Sequence, residues 1–153
     1  MKIREIMTNE LVTVRPSDSI SRAARLMRDA DIGDVLVTGE DGRLLGILTD
    51  RDITVRAVAR ELDVSQAPVG DFMSSSLFTA TPDADVEDGA HIMAQQQVRR
   101  LPIVEGGRLV GIVSLGDIAV DMEAAGIEAK SPAGEALEDI SKPAVPHLER
   151  VVM

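Results

Sequence analysis

The stretch GRLLGILTDRDITV (residues 42–55) returns 65 residues later as GRLVGIVSLGDIAV (residues 107–120), identical at eight of fourteen positions. So dense a match marks an internal duplication of one supersecondary unit. Working outward, an offset of 66 lays Met7 on Met73, Leu11 on Leu77, Thr13 on Thr79, Pro16 on Pro82, Ala24 on Ala90 and Met27 on Met93, with one residue lost in the intervening loop.

Each copy reads as β-α-β-β-α. A short apolar strand (11–14 or 77–80) runs into a Pro turn, with Ser17 or Asp83 as the candidate N-cap of the helix that follows. Ile20, Ala23, Ala24 and Met27, then Val86, Gly89, Ala90 and Met93, give that helix one apolar face at i, i+3, i+4, i+7. The two methionines read as core filler. Aliphatic strands at 35–38 and 44–49, or 101–104 and 109–114, suit a sheet covered on both faces. A second helix starts at Asp50 or Leu115 and is apolar on more than one side: Ile53 and Ala57 against Val55, Val58 and Leu62 in one copy, Ile118, Met122 and Ala125 against Ala119, Val120 and Ala124 in the other. Such a helix needs a second partner besides its own sheet.

The organisation expected is therefore a first repeat at 1–62, a linker at 63–70, a second repeat at 71–125 and a tail at 126–153. The tail holds Pro132, Pro143 and Pro146, with one short helix expected near 135–140, and its apolar end (Leu148, Val151, Val152) is expected to dock on a neighbouring surface.

Composition removes several functions. The net charge of −10 opposes phosphate-driven nucleic-acid binding, and Phe72 and Phe78 are the only aromatic side chains, too few for a base-stacking platform. No apolar run approaches a membrane span, the charged start MKIREIMTNE has no signal-peptide core, and the absence of cysteine excludes disulfides and thiolate chemistry. A cytoplasmic address is expected. His91 and His147 stand in separate contexts with no ligand at metal spacing, and no Gly-rich phosphate loop occurs. Nothing supplies an acid, base or nucleophile, so no catalysis is expected.

The doubled unit, with TVRP at 13–16 and the motifs GILTDRD and GIVSLGD, resembles a tandem pair of cystathionine-β-synthase-type (CBS) domains, a Bateman module, over roughly residues 1–122. It also resembles stand-alone bacterial two-repeat proteins. The resemblance implies an α+β fold of two βαββα repeats packed about a pseudo-twofold axis, and a flat homodimer. It further implies that an adenosine-type ligand (AMP, ADP, ATP or an S-adenosyl compound) sits in the cleft between repeats, the Asp of each motif holding ribose and the Ser/Thr lying near ribose or phosphate. No other cofactor is required.

The pairs Thr49/Asp52 and Ser114/Asp117 stand where a strand becomes a helix. That spacing also makes a capping box, which explains it without any ligand. The two uses are compatible, because free N–H groups at a helix start attract phosphate and a nearby carboxylate can accept from a ribose diol. In the second copy, Leu101 and Pro102 offer an aliphatic wall for a base, and Arg99 and Arg100 are the best phosphate partners, though an ion pair to a carboxylate accounts for either arginine equally well. In the first copy Val35 and Leu36 hold the equivalent wall, while Gly33 and Asp34 replace the arginines; Asp34 would repel phosphate unless Arg51 compensates. Thr13 and Thr79 complete the candidate set. Against this sensor reading stands a ligand-free dimeric scaffold, with an unidentified protein partner open in both.

Overall fold

The computed structural model describes residues 1–124; the tail, with its expected helix at 135–140 and its expected docking, lies outside them. The fold is α+β, two copies of one unit. In the first, β1 (Thr13–Val14) is followed by α1 (Ile20–Ala30), β2 (Asp34–Thr38), β3 (Leu44–Thr49) and α2 (Asp50–Asp52). In the second come α3 (Val86–Gln96), β4 (Arg100–Glu105), β5 (Arg108–Ser114) and α4 (Leu115–Ala124). β2 pairs antiparallel with β3 and parallel with β1; β4 pairs antiparallel with β5. Between β4 and β5 the turn is two residues, Gly106 and Gly107, both at positive φ (58° and 80°), the conformation a tight hairpin demands.

The expected strand at 77–80 is absent apart from a single parallel bridge, Ala80 to Ile103. Pro102 supplies the reason. In the first copy the Leu36 N–H donates to the Val12 carbonyl (3.3 Å) and fastens β1 to β2. Pro102 stands at the equivalent place in β4 and has no N–H to give. The helix caps also sit two residues later than expected. Asp18 accepts from Arg15 N–H (2.8 Å), which spends residues 15–18 on a turn, and Ser19 caps α1 through Arg22 N–H (3.1 Å). In the second copy Asp85 holds the N-cap position but its carboxylate pairs with Lys2 (2.7 Å) rather than with the helix.

The expected helix over 50–62 is also irregular: one α-turn, then a π-helical segment (Ile53–Ala57) and a 3-10 turn (Val58–Arg60). The Thr54 hydroxyl donates to the Asp50 carbonyl (3.0 Å), competing for an acceptor the α-helix needs. Ala119 stands there in the second copy, where α4 is regular.

There are two cores, and they do not follow the sequence repeat. The first joins Val14, Ile20, Ala23, Met27, Val35, Val37 and Leu48 to Val69 and Phe72 of the segment that leads into the second repeat. The second joins Val86, Ala90, Met93, Leu101, Ile103 and Val113 to Ile3, at the other end of the chain. Each leading segment crosses over and closes the opposite half. Val86 N–H donates to Met1 O (3.0 Å) and Ile3 N–H to Ala84 O (2.9 Å); Ile20 N–H donates to Ala67 O (2.9 Å) and Val69 N–H to Asp18 O (2.8 Å). Past these contacts Thr8 pairs antiparallel with Ile112, and Ser74 with Ile47. The crossing runs tight over the motif glycines: a Cβ on Gly46 would lie 2.7 Å from Met73 Sδ, and one on Gly111 would lie 2.7 Å from Met7 Sδ.

Candidate functional site

Four residues related by the duplication meet in pairs between the halves. Arg43 and Arg108, at the starts of the outer strands, form an antiparallel bridge, and Leu109 N–H donates to Gly42 O (3.0 Å). Asp34 and Arg100, each at the start of its strand, form an ion pair (3.5 Å). Pairing between equivalents is the mark of a twofold interface.

Beside that ion pair lies a cavity of about 390 Å³, within the size range of small-molecule sites. The crossover segment walls one side with Thr8, Glu10, Leu11 and Val12. The first copy adds Ala30, Ile32, Asp34 and Leu36; Arg100 and Ile112 come from the second. Asp34 is largely buried, its side chain 18 % exposed, and Arg100 is 31 % exposed. Burial pushes the Asp34 carboxyl above the ordinary carboxylate range; Arg100 opposes that shift and the nearby Asp50 carboxylate adds to it.

Both strand-to-helix motifs form reciprocal caps. Thr49 N–H donates to Asp52 Oδ2 (3.0 Å), and Asp52 N–H donates to Thr49 Oγ1 (3.1 Å). Ser114 N–H and its hydroxyl both donate to Asp117 Oδ2 (2.8 and 2.7 Å), while Asp117 N–H donates back to Ser114 Oγ (3.2 Å). All four residues are half-buried. The cap accounts for the spacing physically, at about 1 kcal/mol per capping side chain. Each cap uses Oδ2, and among the described residues no hydrogen bond engages Oδ1.

Of the candidate residues, Leu36 and Arg100 line the cavity. Arg100 also lies opposite Ser114 in the β4–β5 register, so the cavity and the second cap share a strand pair. Arg99 is exposed and, among the described residues, forms no ion pair. Thr13 is half-buried in β1 opposite Leu36, Val35 is buried in the first core, and Thr79 is exposed beside the bridge at Ala80. Leu101, expected against a base, is wholly buried in the second core, because β4 is covered on both faces. Pro102, opposite Ile112, is buried as well. The cavity residues Thr8, Glu10, Leu11, Val12, Ala30, Ile32 and Ile112 were not singled out by sequence. The crossover brings the first four there, and no local pattern announces it.

Among the described residues no group of three or more His, Cys, Asp or Glu is placed to hold a metal, and no helix is long and apolar enough to cross a membrane. His91 is exposed and hydrogen-bonds Gln95 (2.9 Å), a contact along one face of α3.

Comparison with known proteins agrees with this architecture. The CBS domain matches twice, over residues 3–59 and 69–123. A CBS domain-containing protein of Bacillus subtilis, YhcV, is 43 % identical over 139 residues, covering 91 % of this chain and 94 % of its own length. The crystal structure of Hypoxic Response Protein I with two coordinated zinc ions superposes with a TM-score of 0.73 at 36 % identity, covering 78 % of this chain and 98 % of that one. CBSX2, solved in complex with AMP, superposes with a TM-score of 0.72 at 24 % identity, over 82 % of this chain and 98 % of that one, and shares the fold.

Proposed function

This chain belongs to the CBS-domain family, whose domain pairs are regulatory, generally non-catalytic modules that commonly bind adenosine ligands, and from that premise we propose that it is a sensor holding an adenosine-type ligand between its repeats. The observation that carries the reading is the 390 Å³ cavity beside the Asp34–Arg100 pair, walled by both halves and by a crossover segment. A ligand there would touch both halves and the crossover segment, so it can bias their arrangement. Asp52, Asp117, Thr49 and Ser114 lie outside the cavity lining; Asp52 and Asp117 each spend one carboxylate oxygen on a cap and keep the other for the ribose diol of a ligand that extends beyond it. Arg99, exposed, is the cation open to a phosphate; Arg100 already faces Asp34. Such a protein needs no further cofactor, and the cysteine-free sequence fits a cytoplasmic address.

Calorimetric titration with AMP, ATP and S-adenosylmethionine tests the proposal. Binding to the wild type that Asp117→Asn weakens supports it, since a charge-assisted bond is roughly twice as strong as the neutral one the amide leaves. No heat with any of the three at millimolar concentration overturns it.

A scaffold reading has its own observation. Val55, Val58, Leu62 and Val120 are 50, 55, 42 and 67 % exposed on the second helices and the turn after α2, an apolar surface that fits a homodimer face. Sedimentation at micromolar concentration should show twice the 16.4 kDa of one chain; a purely monomeric species would exclude that face as a dimer contact.

A further inference from the structure

The charges around the cavity do not favour a phosphate. Glu10 and Asp34 supply two carboxylates against the single guanidinium of Arg100. That guanidinium is already committed: it faces Asp34 across the interface at 3.5 Å. A third carboxylate, Asp50, is near enough to push the Asp34 carboxyl further up, and its Oδ2 would lie 3.3 Å from a Cβ on the adjacent Gly33. A phosphate entering here must either draw Arg100 away from a largely buried carboxylate or lie against the carboxylates itself. Both are costly, because stripping the partner from a desolvated charge leaves that charge uncompensated. A positively charged group meets the opposite situation. It brings a second cation to a carboxylate whose burial one guanidinium does not fully offset, and Arg100 need not move.

Resting on the adenosine reading above, we infer that this cleft selects cationic adenosyl ligands, with an ammonium or sulfonium where AMP has its phosphate, and that Asp34 is the residue that sets the preference. Specificity of this kind comes as much from repelling the wrong ligand as from attracting the right one. Glu10, exposed at the same wall, acts in the same direction from farther out. The second copy lacks this arrangement. By the duplication, Ser76 stands where Glu10 is and Arg100 where Asp34 is, so the acidic character belongs to the first half alone.

The test uses three ligands of one shape and different charge: 5′-amino-5′-deoxyadenosine, adenosine and AMP, titrated calorimetrically at neutral pH and low salt into the full chain. The expected order of affinity is amine, then adenosine, then AMP, with the amine ahead of AMP by roughly tenfold or more, as an interaction between charges at partly desolvated sites implies. Asp34→Asn should shift the ratio of the two affinities toward AMP by about tenfold, and Glu10→Gln in the same direction by less. Glu10 is on the surface, so its variant reports even if the change at Asp34 perturbs folding. AMP binding tightest to the wild type, or a ratio that neither substitution moves, overturns the inference and leaves the adenosine reading in place. No binding of any of the three, nor of ATP or S-adenosylmethionine, at millimolar concentration overturns both.

Discussion

At Gly46 and Gly111 the chain has no room for a side chain, because the crossover segments pass directly over them. An added Cβ at Gly46 would meet the Ser74 carbonyl at 2.9 Å as well as Met73; at Gly111 the corresponding backbone atom, Thr8 O, is 3.3 Å away. Methionine can swing aside, but a strand carbonyl cannot without releasing its hydrogen bond. Gly46→Ala should therefore cost about 1–3 kcal/mol in urea unfolding, and Gly111→Ala less. Equal midpoints would show that the methionines, not the backbone, set the spacing. Asp34 allows a prediction about pH. Its carboxyl titrates above the unfolded value, so the native state holds this proton more tightly than the unfolded chain does. Its contribution is most favourable below the unfolded pKa of about 4 and declines as pH rises through the raised folded value. Asp34→Asn should remove that decline, with Arg100 and Asp50 the charged neighbours whose response must be followed. A chemical-denaturation series from pH 4 to 7 that keeps its slope in the variant would place the titration elsewhere.

Among the elements, the two copies differ most where one residue differs in chemistry. Leu36 donates its N–H and β1 forms; Pro102 has none and its neighbour stays a single bridge. Pro102→Leu should restore a donor toward the 77–80 segment, and amide exchange should show residue 102 protected; rapid exchange there would mean that something besides the missing donor holds the segment off. Much of this level was legible beforehand. The period-3.6 faces of α1 and α3, the four long strands and the helix starts at Asp50 and Leu115 follow from local pattern, and the structure has them. The failures are equally local in cause: a strand cancelled by a proline on its neighbour, caps delayed by the Asp18 turn, a helix widened where Thr54 competes for a carbonyl. The strand-to-helix pairs were readable because cap and motif share one spacing. The cavity was not, since four of its residues arrive on a crossover that no period encodes.

For the whole molecule, the exchange of leading segments ties the halves together through both cores. Ile3 belongs to the first repeat by sequence and to the second core by contact, where it is 1 % exposed. Ile3→Ala should lower global stability by about 2–5 kcal/mol, the usual cost of emptying a buried aliphatic site. Both halves should still unfold in one transition, because neither core is closed without a segment that precedes the other. Separate transitions by calorimetry, with only the second half affected, would contradict this.

The same exchange decides what one repeat can do alone. A single repeat has no second half to lend it a leading segment, so its core can close only with the segment of another copy, each protomer reaching into its neighbour. In the duplicated chain that encounter between molecules is a matter of chain connectivity. Residues 63–125 expressed alone should be unfolded when dilute, and fold only as a pair in which each copy's residues 67–73 take the place now held by residues 1–7.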